Sequence, residues 1–101
     1  MPDQLLLTVI LPAYNEAKVI GDVIDEIQSA IPCRIVVVDD GSSDNTTEYV
    51  RRKGVMVIRH LLNRGAGASC MTGISLAREK NWQQVAFLDA VNVVRHPFIV
   101  G

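Results

Sequence analysis

The sequence predicts an α/β fold, a three-layer, doubly wound, mostly parallel sheet of about four strands with helices on both faces. Two observations carry this. Short, continuous apolar runs rich in β-branched residues alternate with stretches of three-and-four spacing, which is the βαβα pattern. The runs are apolar throughout rather than every second residue, as befits strands covered on both faces.

The first run, Leu5 to Leu11, reads as a buried strand stopped by Pro12. From Ala17 onward Val19, Ile20, Val23, Ile24, Ile27 and Ile31 recur at helical spacing, with Asp22, Asp25, Glu26 and Gln28 opposite, and Pro32 ends the helix. Arg34 to Val38 is the second strand, closed by Asp39-Asp40-Gly41, and a weaker helix follows from about Asn45 to Lys53, with Ser43 or Asp44 as its cap. Gly54 separates it from a third strand, Val55 to Ile58. Gly65 and Gly67 then lead into a helix spanning roughly Ala68 to Lys80, with Met71, Ile74 and Ala77 on its apolar face. The fourth strand, Val85 to Leu88, ends at Asp89, and no periodicity is assignable after Ala90. Strands three and four are both expected as open edges, and with the apolar tail Phe98-Ile99-Val100 they favour self-association.

With 101 residues and 49% hydrophobic content the chain is one domain, residues 1–101, with a single core. A net charge of −1 with mixed-sign charges supplies no basic field, so nucleic acid is not an expected partner. Cys33 and Cys70 lack zinc or redox spacing and read as reduced thiols. Leu5 to Leu11 is too short to cross a bilayer, and the N-terminus has no basic leader region.

Ligands of open parallel sheets bind beyond the carboxyl ends of the strands. There this chain carries Pro12-Ala13-Tyr14-Asn15-Glu16, Asp39-Asp40-Gly41-Ser42-Ser43, His60 to Gly67, and Asp89. Acidic groups at Glu16, Asp39, Asp40 and Asp89, with Arg64 and an amide-rich glycine loop, suit a ligand combining ring donors, hydroxyls, a diphosphate and a cation. Tyr14 reads either as a turn aromatic packed on the first helix or as a platform for a nucleobase. Two adjacent carboxylates at the end of a buried strand need donors, and a base imide or ribose hydroxyl would serve. Gly65-Ala66-Gly67 either lets backbone N–H groups approach phosphate or is a loop chosen for turn geometry. A dinucleotide fingerprint is not completed, because the third glycine position is Cys70 and the motif follows the third strand. His60 and His96 lack metal-ligand spacing and read as solvated or locally hydrogen-bonded imidazoles.

Taken in order, Val9-Ile10-Leu11-Pro12-Ala13-Tyr14-Asn15-Glu16, Val36 through Thr46, and Asn63-Arg64-Gly65-Ala66-Gly67 resemble family 2 glycosyltransferases, closest to the dolichyl-phosphate mannosyltransferase-like branch. The resemblance implies the nucleotide-binding half of a GT-A domain that holds a UDP- or GDP-sugar with Mg²⁺ or Mn²⁺ and transfers the sugar to an acceptor. By that analogy Pro12, Ala13, Tyr14 and Glu16 line the nucleotide pocket, Val38 and Asp40 contact the base, Arg64 flanks the phosphates, and Asp89 and Ala90 begin a D-x-D metal motif. The second acid of that motif is replaced by Val91, which offers a hard cation no lone pair, so the metal site at Asp89 is expected to be weak. The family pattern continues past Gly101 into an acceptor half that supplies the base, so this chain alone is expected to bind rather than turn over. The acceptor is unknown, with a lipid-linked one common in the family. The expected location is the cytoplasm, with a peripheral place at the inner membrane face as the variant a lipid-linked acceptor requires. Two other functions compete: a non-catalytic nucleotide-binding module, and a Rossmann-like dinucleotide-binding protein.

Overall fold

Alternation along β1, Thr8–Ala13, sends Val9, Leu11 and Ala13 to one side of the sheet and Ile10 to the other, and all four are buried. A computed structural model describes residues 2–88 and the short strand Phe98–Ile99. The remaining elements follow the expected order: α1 Ile20–Ala30, β2 Arg34–Asp39, α2 Thr46–Arg52, β3 Met56–Arg59, α3 Ala66–Glu79, β4 Val85–Phe87 and β5 Phe98–Ile99. The strand order is β3-β2-β1-β4-β5. The first four strands are parallel, with Ile10 beside both Val36 and Phe87, and β5 pairs antiparallel with β4.

The two faces bury different helices. Ile20, Val23, Ile24 and Ile27 of α1 and Val50 of α2 close over Val9, Leu11, Ile35 and Val37. Ile74 and Leu76 of α3, with Trp82, cover Ile10, Val36 and Val38 on the opposite face. Each of these valines and isoleucines gains about 1.5–3 kcal/mol from leaving water, which is why the strands carry no polar alternation. The three-layer, doubly wound arrangement is therefore the one expected.

Several expectations need correction. The first strand starts later than Leu5, because Asp3–Leu5 forms a 3-10 turn whose Asp3 side chain accepts from Arg34 and from Trp82 Nε1. Nor does Pro12 end it. Arg34 N–H donates to the Leu7 carbonyl and Asp40 N–H to that of Ala13, whereas Thr8 donates to Gln84 and Ile10 accepts from Leu88. Even-numbered residues thus bond towards β4, so the proline nitrogen faces that side, just past the last β1–β4 bond, and removes no donor from the β2 ladder.

The first helix begins at Ile20, since Ala17 to Val19 form a turn whose first N–H goes to Asp44 Oδ2 at 3.2 Å. Met71 does not belong to the buried face of α3 and is 58% exposed. Ser69, Gly73 and Ala77, one turn apart, face the sheet instead, and Gly73 brings the helix so near that a Cβ there would stand 2.5 Å from Ile10 Cγ2. Strand four is not an edge, because β5 lies along it. The cap of α2 is neither Ser43 nor Asp44 but Asn45, whose side chain makes no capping hydrogen bond, while Asp44 just before it accepts from Thr46 N–H through Oδ1 at 3.0 Å.

Candidate functional site

The loops after β1 and β2 are tied together before any ligand is considered. Asn15, held at φ 51°, donates its N–H to Ser42 Oγ at 2.8 Å and accepts from Ser43 N–H through Oδ1 at 2.8 Å. Glu16 N–H donates to Thr46 Oγ1 at 2.9 Å. Asparagine tolerates the left-handed region and offers both a donor and an acceptor there, which explains Asn15 between Tyr14 and Glu16.

Alternation sends the two adjacent carboxylates to opposite faces of the sheet. Asp39 turns towards α2, accepting from Ser42 N–H at 3.0 Å and from the Thr47 hydroxyl. Asp40 turns towards α3, where Oδ1 accepts from Arg64 N–H at 2.9 Å and from His60 Nδ1 at 2.7 Å, and Oδ2 accepts from Gly65 N–H at 2.7 Å. The donors these buried acids require come from the protein, so neither a base imide nor a ribose hydroxyl is needed to satisfy them. Burial alone would raise the Asp40 pKa, but hydrogen bonds from His60 and from the Arg64 and Gly65 amides outweigh it and hold the carboxyl below its ordinary value. Asp44 is likewise lowered, its partial burial outweighed by bonds from Thr46 and Ala17.

Asp40 thereby fixes the glycine loop against the end of β2. Gly41, at φ 78°, permits it: a Cβ there would lie 2.8 Å from the Asn63 nitrogen and the Leu62 carbonyl carbon. Gly65, at φ 97°, starts α3.

These constraints leave a pocket of about 420 Å³ at the carboxyl end of the sheet. Five expected residues line it: Pro12, Ala13, Tyr14, Glu16 and Asp40. Tyr14 is 46% exposed, so its ring is a wall of the pocket rather than part of the core beneath α1. Sequence reasoning missed the other walls, Ala66, Ser69, Cys70, Phe87 and Leu88. Ser69 and Cys70 lie three and four residues after Ala66, the spacing of one helix face, so the motif at the start of α3 contained the signal. Burial pushes the Cys70 thiol above its ordinary pKa, so it is a neutral wall atom at physiological pH.

Two expected residues stand apart from this pocket. Val38 is fully buried in the core beneath α3, and its side chain is not a pocket wall. The Arg64 side chain is exposed and off the wall, while its backbone N–H serves Asp40. Asp89, Ala90 and Val91 lie outside the described residues, and so does His96. His60 is buried and locally hydrogen-bonded, to Asp40 and to Thr72 Oγ1 at 2.8 Å. Among the described residues no group of three or more His, Cys, Asp or Glu side chains could hold a metal ion, and no helix is long and apolar enough to cross a membrane.

The family model for glycosyl transferase family 2 matches residues 8–95. The chain is similar to the uncharacterized protein MJ1222 of Methanocaldococcus jannaschii, with 48% identity over 69 residues, covering 68% of this chain and 28% of that protein. It is also similar to the UDP-N-acetylglucosamine–dolichyl-phosphate N-acetylglucosaminyltransferase of Methanococcus voltae, at 33% identity over 78% of this chain and 38% of the relative. Glucosyl-3-phosphoglycerate synthase from Mycobacterium tuberculosis superposes with TM-score 0.71 at 25% identity, covering 85% of this chain and 34% of that one. Its complex with Mn²⁺, UDP and glucosyl-3-phosphoglycerate superposes with TM-score 0.62 at 26% identity, covering 85% and 33%. The chain thus spans less than two fifths of the length of each of these proteins. The match of residues 8–95, the order of the three motifs and the parallel sheet agree: the chain belongs to glycosyl transferase family 2 and has the GT-A architecture of its structural neighbours.

Proposed function

We propose that the pocket binds the nucleotide part of a nucleoside-diphosphate sugar of UDP or GDP type, in a domain built for sugar transfer. One observation carries the reading: Tyr14, Glu16 and Asp40 meet the first turn of α3 around one cavity at the carboxyl edge of the sheet. Tyr14 supplies a ring face for a base, and Asp40 an acceptor for its edge or for a ribose hydroxyl. The small residues Ala66 and Gly67 let the backbone N–H groups at the start of α3 approach a diphosphate, with the Arg64 guanidinium nearby in sequence. A relative in the same fold carries UDP and Mn²⁺ in its complex, which supports both the nucleotide class and a divalent cation.

For the cation this chain contributes less than a full D-x-D pair. Asp89 is the one carboxylate of Asp89-Ala90-Val91, so Mg²⁺ or Mn²⁺ would be held by Asp89 and the diphosphate oxygens, without a second acid at Val91. Binding then depends on the cation only weakly, and the chain acts as a nucleotide-binding module rather than a complete catalyst. The acceptor is proposed to be lipid-linked, supported by the dolichyl-phosphate acceptor named for the Methanococcus relative. A cytoplasmic place, peripheral to the membrane, is part of this reading, supported by the lipid-linked acceptor it proposes and by two cysteines that form no disulfide.

Calorimetric titration of UDP, GDP and their sugar conjugates, with and without Mn²⁺, tests the reading. Nucleotide binding that Mn²⁺ strengthens less than about tenfold is expected. A folded chain that binds no nucleotide removes the proposal, and a strong Mn²⁺ requirement removes the weak-metal part of it.

A further inference from the structure

Asp40 is a carboxylate with few acceptor sites left. An ionised carboxylate offers roughly four lone-pair positions. Arg64 N–H and His60 Nδ1 occupy both on Oδ1, at 2.9 and 2.7 Å, and Gly65 N–H takes one on Oδ2 at 2.7 Å. One remains, on Oδ2, and Asp40 lines the pocket while only 4% exposed.

His60 makes this arrangement insensitive to its own charge. Because the ionised Asp40 has no proton to give, Nδ1 must carry the hydrogen of that bond. With the ring neutral, Nε2 accepts from the Thr72 hydroxyl, 2.8 Å away. With the ring charged, Nε2 donates to Thr72 Oγ1, and the hydroxyl hydrogen turns to the Ala68 carbonyl at 3.1 Å. In either state Oδ1 stays occupied.

Resting on the nucleotide reading above, we propose that His60 is a positioning residue that reduces Asp40 to a single-acceptor group and so sets the base preference. A base that presents one edge donor between carbonyls, the uracil imide, matches one free lone pair. Guanine presents N1–H and N2–H side by side and asks for both carboxylate oxygens, one of which is full. The pocket therefore takes a uridine diphosphate in preference to a guanosine diphosphate.

The test uses the 101-residue chain, UDP and GDP as probes, and the variants His60→Asn and His60→Leu. Wild type is expected to bind UDP about tenfold or more tighter than GDP, the ratio that one hydrogen bond to a charged group supplies. His60→Asn, whose side-chain amide can reach Oδ1, keeps that ratio. His60→Leu brings it towards one, mainly by strengthening GDP, because the vacated position on Oδ1 can then accept the second guanine donor. A ring-nitrogen NMR spectrum of wild type, recorded without nucleotide, is expected to show the hydrogen on Nδ1 near neutral pH, which a merely space-filling role would not require.

GDP binding as tightly as UDP, a His60→Leu chain that folds and keeps the wild-type ratio, or a hydrogen found only on Nε2 each overturns the inference while leaving nucleotide binding in place. Should His60→Leu not fold, the wild-type ratio, the Asn variant and the spectrum still decide. A folded wild type that binds neither nucleotide removes the nucleotide reading, and the base preference with it.

Discussion

Two residues show how tightly the loops are specified. Gly41→Ala would place a methyl group against the Leu62–Asn63 backbone in a left-handed conformation, and backbone cannot rotate away as a side chain can. Urea unfolding should show a loss of about 2–4 kcal/mol from strain plus clash, and a loss within experimental error would mean the loop shifts freely. Asp40 sets an acid limit. Its folded pKa lies below the unfolded value, so the stability it confers is present above the ordinary carboxyl range and lost as pH falls through the folded value. Asp40→Asn should cost about 1.5–3 kcal/mol near neutrality, with the gap to wild type narrowing below about pH 4. A gap that stays constant with pH would show that the charge is not what is stabilised. The Asp39-Asp40 pair was legible as a place where chemistry concentrates, but its partners were not. Ser42 and Thr47 reach Asp39 from the loop after β2 and the start of α2, whereas His60 and the Arg64 and Gly65 amides reach Asp40 from the loop after β3, and local sequence does not reveal those distant donors.

Strands and helices were readable where one physical effect dominated. Continuous β-branched runs identified β2 nearly to the residue, because burial on both faces leaves no other use for four successive apolar side chains, and the run at β3 was found within one residue although that edge strand is only half-buried. The face of α3 was misread for the opposite reason. Apolar size pointed to Met71, yet the helix sits so near the sheet that small residues make the contact. Gly73→Ala tests this closeness: a Cβ 2.5 Å from Ile10 Cγ2 should cost about 1–3 kcal/mol by overpacking, despite alanine's better helix propensity. Ile10→Ala on the same chain should recover part of that loss, so the double-mutant cycle shows coupling of at least about 0.5 kcal/mol. Additive effects would place the helix farther out.

At the scale of the molecule, what faces solvent differs from what the sequence pattern suggests. Leu61 and Leu62, on the loop from β3 to the glycine turn, are 93% and 76% exposed, and β3 bounds the sheet on the same side. Paired exposed leucines beside a strand edge favour association. Sedimentation velocity should show concentration-dependent self-association that Leu61→Ser with Leu62→Ser weakens, and a monomer across the whole concentration range would contradict it. The overall architecture was readable from sequence because alternating strands and helices admit few arrangements. The pairing of Phe98–Ile99 with β4 was not, since two residues carry no periodicity.

The proline within β1 has one more consequence. On its β2 side the strand is zipped to its last residue, with Ala13 beside Asp39, whereas its ladder with β4 closes at Ile10 and Phe87. A ring nitrogen with nothing to donate adds no bond to that one seam, and Pro12 stands with Phe87 and Leu88 in the lining of the cavity. One wall of the cavity is thus strand backbone that spends no hydrogen-bond donor on its neighbour.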